Sequence, residues 1–391
     1  MANIKISGWN YVPIGQIDCV QAVEDWKDLG LNYPMSFHFN PKQHDKNEFI
    51  KSLDECHKKG MQVIIDDIRT DFRTLEKIGE DDYREGVKQA VEDFGSHPAT
   101  YGFHVGDEPD VHTEEIAIRA IQICNEYAPN LTHFINLLPY WADDPVGFYE
   151  ATGAKTADEY GERVSSFIRR SGIKLISYDC YGQCCYFDKE FFQGVYFENL
   201  RIFQKAAKEN GVELYTSLLS VGHWSLRVPD EDDIRWQIST AIASGCIGLV
   251  WFFIYERCLD GSFRNPPIDL FWKKTATYEY LSRQNNTFLT YYAEVFKDFD
   301  FVWAKHFGTT YGGYEKFVAD ENIKEIDFSI NPSSLLISKF EAADGRMMLV
   351  VVNLNRTEPT APKIQFGERF NNRKFNRWFA PGQMRIFISE K

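Results

Sequence analysis

Eight times in succession the chain passes from a short β-prone run into an amphipathic helical stretch, and this repeat constrains the fold more than any other feature. Strands are predicted at Ile4–Tyr11, Asn32–Phe39, Gln62–Ile68, Tyr101–Glu108, Leu131–Leu138, Ile173–Tyr181, Glu213–Ser220 and Ile247–Ile254. Helices are predicted at Val20–Leu29, Pro41–Lys59, Asp82–Phe94, Thr113–Tyr127, Thr156–Ser171, Glu190–Asn210, Asp230–Ala243 and Lys274–Phe296. Gly60 and Gly211 fall where a helix needs a left-handed residue to end on. Strands that alternate with helices pair in parallel, because each helix carries the chain back to the same end of the sheet. No Gly-x-Gly-x-x-Gly and no phosphate loop follows an early strand, which argues against an open doubly wound sheet. Eight units in roughly 300 residues fit a closed (β/α)₈ TIM barrel.

From about Val302 the pattern changes to short alternating runs, Phe317–Ala319, Leu335–Phe340, Met347–Asn353 and Met384–Ile388. Asp344-Gly345 and Pro381-Gly382 supply turns between some of them. This reads as a small C-terminal all-β sandwich, giving a barrel over 1–300 and a sandwich domain over 301–391.

The net charge of −14, with no Lys/Arg-rich run, makes nucleic acid and anionic membrane surfaces poor partners. No apolar run approaches the ~20 residues that span a bilayer. Strand structure is expected from Ile4 with no leader before it, so the protein is expected in the cytoplasm, or secreted with its leader already removed. The eight cysteines (Cys19, Cys56, Cys124, Cys180, Cys184, Cys185, Cys246 and Cys258) show neither Cys-x-x-Cys nor zinc spacing and are expected to be reduced. Cys180, Cys184 and Cys185 lie near the proposed site, where oxidation would matter.

Barrel enzymes build their sites at the C-terminal ends of the strands. Here those ends carry Trp9, Asn10 and Tyr11; Phe37 and His38; Asp66 and Asp67; His104, Asp107 and Glu108; Asn136, Tyr140 and Trp141; Asp179 and Tyr181; His223 and Trp224; and Trp251, Tyr255, Glu256 and Arg257. Rings that stack on sugar faces, with carboxylates, imidazoles and amides that bond hydroxyls, suit a neutral carbohydrate and call for no cofactor or metal. The centre is Tyr101–Asp110, where a strand stops at Asp107-Glu108-Pro109. Pro109 cannot donate to a ladder and restricts Glu108 to extended geometry. Burial and a like-charged neighbour raise a carboxyl pKa, which suits a proton donor near neutrality. The alternative is a solvated acidic turn.

Gly106-Asp107-Glu108-Pro109 resembles the Asn-Glu-Pro end of strand four in clan A glycoside hydrolases such as β-galactosidases, where the Glu is the acid/base. Tyr178-Asp179-Cys180-Tyr181-Gly182 is similar to the aromatic-polar end of their strand six, and the strand bearing Trp251 to their strand eight. The resemblance covers the barrel and implies a glycosidase with Glu108 as general acid. It departs at strand seven, where Leu214–Ser220 has no counterpart of the clan's nucleophilic Glu.

The second carboxylate is then Asp179, Glu256 or Asp107, with Asp179 preferred. At ~6.5–9.5 Å from Glu108 it would activate water with inversion, and at ~5–5.5 Å it would be a nucleophile with retention. Glu256 is the reserve, its pKa lowered if Arg257 pairs with it. Asp66 and Asp67 read first as ion-pair partners of Arg69 or a neighbour. Expected substrate contacts are Trp9, Tyr11, His38, Asp67, Asp107, Asn136, Trp141, Tyr181, His223, Trp224, Trp251 and Glu256. Two other classes stay open: a sugar-binding barrel without catalysis, and a metal-dependent hydrolase using Asp66, Asp67, His104 and Asp107.

Overall fold

The computed structural model describes residues 4–141, 148–187, 189–257 and 262–390, so Cys258 lies outside the described residues. Eight strands form the barrel: β1 Lys5–Gly8, β2 Met35–Phe39, β3 Val63–Asp67, β4 Thr100–Asp107, β5 Phe134–Leu137, β6 Leu175–Tyr178, β7 Glu213–Leu219 and β8 Gly248–Phe252. Each pairs in parallel with its neighbours in the order β1-β8-β7-β6-β5-β4-β3-β2. The seam between β1 and β2 is bridged by Asn32. Its side chain accepts from the Ile6 N–H at 2.6 Å and donates to the Ile4 carbonyl at 3.0 Å.

The helices are α1 Cys19–Asp28, α2 Lys46–Lys58, α3 Phe72–Ile78, α4 Glu80–Ala90, α5 Glu114–Tyr127, α6 Phe148–Thr152, α7 Ala157–Ser171, α8 Lys189–Asn210, α9 Glu231–Ala243 and α10 Ala276–Phe288. Their starts follow from capping chemistry. Asp18 accepts from the Val20 and Gln21 N–H groups, and Thr156/Glu159 and Asp230/Asp233 close capping boxes on α7 and α9. The N-terminal end of the barrel is plugged. Lys5 pairs with Glu213 at 2.7 Å, and the Tyr101 and Tyr215 hydroxyls donate to the same carboxylate at 3.1 and 3.2 Å. The floor is thus polar but satisfied, and access is left to the other end.

Beyond the barrel lie β9 Phe299–Phe307, β10 Ile323–Ile330, β11 Leu335–Ala342, β12 Met347–Asn353, β13 Ala361–Phe366, β14 Lys374–Asn376 and β15 Met384–Ile388. They make two antiparallel sheets, β9-β11-β12-β15 and β10-β13-β14. The alternation along β11 and β12 sends Leu336, Phe340, Met348, Val350 and Val352 into the barrel's own apolar cluster. Leu335, Ile337, Leu349 and Val351 instead meet Ile364 and Phe366 of the smaller sheet. At the junction the Trp236 Nε1–H of α9 donates to the Leu354 carbonyl at 3.0 Å. Gly382 (φ +65°) lies so close to α9 that a Cβ there would stand 2.4 Å from the Trp236 Cα.

Candidate active site

The strand ends converge through their register. Asp107 of β4 is level with Asn136 of β5, Asn136 with Ser177 of β6, and Asp179 with Ser217 of β7. Asn136 is the hub of this layer and is 2% exposed. Its amide donates to Asp107 Oδ1 at 3.2 Å and to Asp179 Oδ1 at 2.9 Å. Its carbonyl oxygen accepts from Ser177 Oγ at 3.0 Å and Ser217 Oγ at 3.4 Å, and Trp9 Nε1–H donates to Ser217 Oγ at 3.2 Å. One buried amide therefore fixes the two aspartates together.

Glu108 sits directly above. Its backbone N–H donates to the Asn136 carbonyl at 2.9 Å, and its φ is +50°. This overturns the extended geometry expected before Pro109. The turn is imposed from outside. Gly106 at φ +143° leaves no room for a Cβ, which would lie 2.2 Å from Phe72 Cδ1, and the Arg73 guanidinium donates to the Asp107 carbonyl. Both residues belong to α3, a helix not expected from the sequence.

Glu108 is exposed at the mouth of the barrel, with part of its side chain set against the protein. That incomplete solvation, then the Asp107 charge, lift its pKa to about 7, although a hydrogen bond with Asp179 and the Arg73 charge pull it down. Burial first, then Glu108 and Asp107, push Asp179 well above the usual carboxylate range, with the Glu108 hydrogen bond acting the same way. Asp107 is raised by burial, against His104, Asn136 and Arg73. Glu108 and Asp179 are thus in hydrogen-bonding contact, which favours the ionised form of Glu108 and the protonated form of Asp179.

The other expected contacts divide. Tyr11 and Tyr181 are half-buried, and the charges of Asp107, Glu108 and Asp179 bear on both hydroxyls. Tyr181 stacks on Phe252 at 5.4 Å, and His223 lies 5.6 Å from Phe252 and 4.2 Å from Trp224, which is 73% exposed at the rim. Trp9 is nearly covered and supports Tyr11, stacked at 5.9 Å. Trp141 is half-buried against Phe192. Glu256 accepts from the Leu270 N–H at 3.3 Å, while Arg257 leans over the Tyr11 ring at 4.0 Å instead of pairing with its neighbour.

Two expected contacts are corrected. Asp67 is fully buried, held by Arg69 at 2.6 Å, and Arg69 also binds Asp93. Trp251 is fully buried, its Nε1–H donating to Asn285 at 3.2 Å, so neither side chain has surface to offer a sugar. His38 binds Asp66 at 3.2 Å, with His104 at 3.6 Å on the other oxygen. Burial would raise Asp66, but the two imidazoles hold it at about 2. Its hydrogen bond and charge in turn lift His38, and lift His104 against burial. Among the described residues no group of three His, Cys, Asp or Glu side chains is placed to hold a metal ion. Sequence reasoning missed Ser177, Ser217 and Arg73. Ser177 could have been found, since it shares the inward phase of Asp179 two residues on.

The fold is a nearly closed parallel eight-stranded barrel with an appended pair of antiparallel sheets, and its structural neighbours are glycoside hydrolases. A protein described as a glycoside hydrolase superposes with a TM-score of 0.58 at 10% identity, over 98% of this chain and 92% of that one. The β-galactosidase from the psychrophilic Marinomonas ef1 superposes with a TM-score of 0.54 at 11% identity, over 76% of this chain. The chain spans 62% of that enzyme's length. A putative α-L-fucosidase from Bacteroides thetaiotaomicron VPI-5482 gives a TM-score of 0.52 at 11% identity, over 74% of this chain and 94% of that one. No protein-family model and no curated protein sequence matches the chain.

Proposed function

We propose that the protein is a glycoside hydrolase that cleaves a neutral oligo- or polysaccharide, with Glu108 as the general acid and Asp179 as its carboxyl partner. The observation that carries this reading is a strand-end carboxyl, Glu108, exposed at the mouth of the barrel and in hydrogen-bonding contact with the buried Asp179. A carboxyl whose pKa stands at about 7, facing an aromatic mouth, is half-protonated where a leaving oxygen needs a proton. For Asp179 to serve as base or nucleophile, the contact with Glu108 must open when a sugar ring enters between them.

The test is a panel of aryl glycosides, with NMR of the first-formed anomer and Glu108→Gln in parallel. Cleavage is expected, with the variant reduced about 10²–10⁴-fold in kcat. Cleavage that survives Glu108→Gln undiminished refutes the assignment of the acid. One observation favours a second reading, a barrel that binds sugar without cleaving it: the sole carboxylate of β7 is Glu213, at the plugged end. Sugar binding without turnover of any glycoside would establish that reading instead.

A further inference from the structure

Between the barrel and the sandwich lies a charge that the fold leaves unanswered. A cavity of about 390 Å³ opens where the first turn of α8 meets the loops before β11 and after β12, a volume within the range of small-ligand sites. Arg356, just beyond β12, lines it, and its guanidinium donates to the Gln183 carbonyl. Among the described residues no carboxylate pairs with Arg356, so its other N–H groups are left for the cavity. Arg227 lines the same cavity, but Asp233 takes both of its terminal nitrogens. Burial, ahead of every other influence, pulls the Arg356 pKa below the usual guanidinium value, and the Arg227 charge adds to it against Cys184 and Asp233.

A second group is left over beside it. Gln193 of α8 is 7% exposed and lines the cavity, and its carboxamide has no hydrogen-bond partner among the described residues. An amide removed from bulk water in this way is costly unless a ligand or an ordered water pairs with it. The remaining charges set the kind of ligand. Glu190 and Asp230 also line the cavity, beside Lys189. A doubly charged phosphate would meet both carboxylates, whereas one carboxylate matches the planar fork of a single guanidinium. The acidic side chains that oppose a second negative charge are good acceptors for hydroxyl groups. Because the Gln183 carbonyl already holds Arg356 in place, less side-chain freedom is lost when a ligand arrives.

We infer that this cavity is a second ligand site, sharing no lining residue with Glu108 and Asp179, and that it binds a monoanionic sugar acid. Arg356 takes the carboxylate, and Gln193, Glu190 and Asp230 take hydroxyl groups. Binding there does not require the barrel to cleave any glycoside.

The experiment is isothermal titration calorimetry of the whole chain with D-glucuronate, D-galacturonate and D-gluconate, beside D-glucuronamide and inorganic phosphate. At least one sugar acid is expected to bind with a Kd below about 1 mM, and the neutral amide and phosphate at least about tenfold more weakly. Arg356→Gln should weaken the sugar acid about 10–100-fold. Gln193→Ala, which keeps Arg356 and its contact with the loop, should weaken it about 3–10-fold. No heat from any sugar acid up to about 10 mM, equal or tighter binding of the amide or phosphate, or an affinity that neither variant lowers would overturn the inference. These results are read from binding alone, so they stand apart from the outcome of the aryl glycoside panel.

Discussion

Replacing Asp107 by Asn is expected to lower the pH at which activity disappears, and replacing Arg73 by Gln to raise it. A general acid works while protonated, so kcat/KM should hold below the Glu108 pKa of about 7 and fall tenfold per pH unit above it. Burial is the larger cause of that value and the Asp107 charge the next. Two unit charges about 6 Å apart, the order of separation of carboxyls on adjacent residues, interact by about 2.8 kcal/mol at an effective dielectric of about 20. That corresponds to about 2 pH units. Glu108 is exposed, and screening cuts the effect roughly in half. The basic limb of Asp107→Asn should therefore lie about 1 pH unit lower. Arg73 acts in the opposite sense, favouring the ionised form of both carboxyls. Its side chain is 45% exposed and already paired with Asp71, so Arg73→Gln should move the limb up by no more than about half a unit. The assay is kcat/KM against pH, from about pH 5 to about pH 9, on the best aryl glycoside; residual activity suffices. A limb that stays fixed in both variants, or moves the same way in both, would show that the titrating proton is not held by Glu108.

Asn136→Leu removes the amide that joins Asp107 to Asp179, and should lower unfolding free energy by about 2–4 kcal/mol in urea while depressing kcat. Trp251→Phe should cost about 2–3 kcal/mol in the same measurement with KM unchanged, because the ring is packed and bonded to Asn285. Trp224→Ala should do the reverse, shifting stability by less than about 0.5 kcal/mol while raising KM. Asp66→Asn should lower the NMR titration midpoints of both His38 and His104. In the wild type the depressed Asp66 pKa gives stability that is present above about pH 4 and lost as pH falls toward 2. The raised histidines give stability present below their ordinary 6.5 and lost as pH climbs through their folded values.

The barrel was legible because a parallel strand is a short apolar run and each crossover helix carries its own caps. Position at a strand end then located Glu108, Asp107, Asn136 and Asp179 without any knowledge of contacts. What lay beyond reach was tertiary. The alternation along β3 shows that Asp66 and Asp67 face opposite ways, but only packing reveals that Arg69 claims the second. Trp251 ends a strand like the mouth aromatics, yet α10 covers it through Asn285. The seven residues of α3 are too few to show a helical period, so the clamp that Phe72 and Arg73 place on the Gly106–Glu108 turn went unread. That clamp outweighs the local preference of a residue before proline, and it is why Glu108 turns left-handed.

The sheet containing β11 and β12 has a consequence for anyone cutting the chain. Its inner face completes the same apolar mass that the barrel helices build, and Trp236 is lashed to Leu354, just past the end of β12. A polypeptide stopped near residue 300 would lay bare a greasy flank on α9 and strand the indole N–H without an acceptor. Such a fragment should clump rather than behave as a trimmed catalyst, and the seemingly peripheral sandwich is better regarded as one wall of the house.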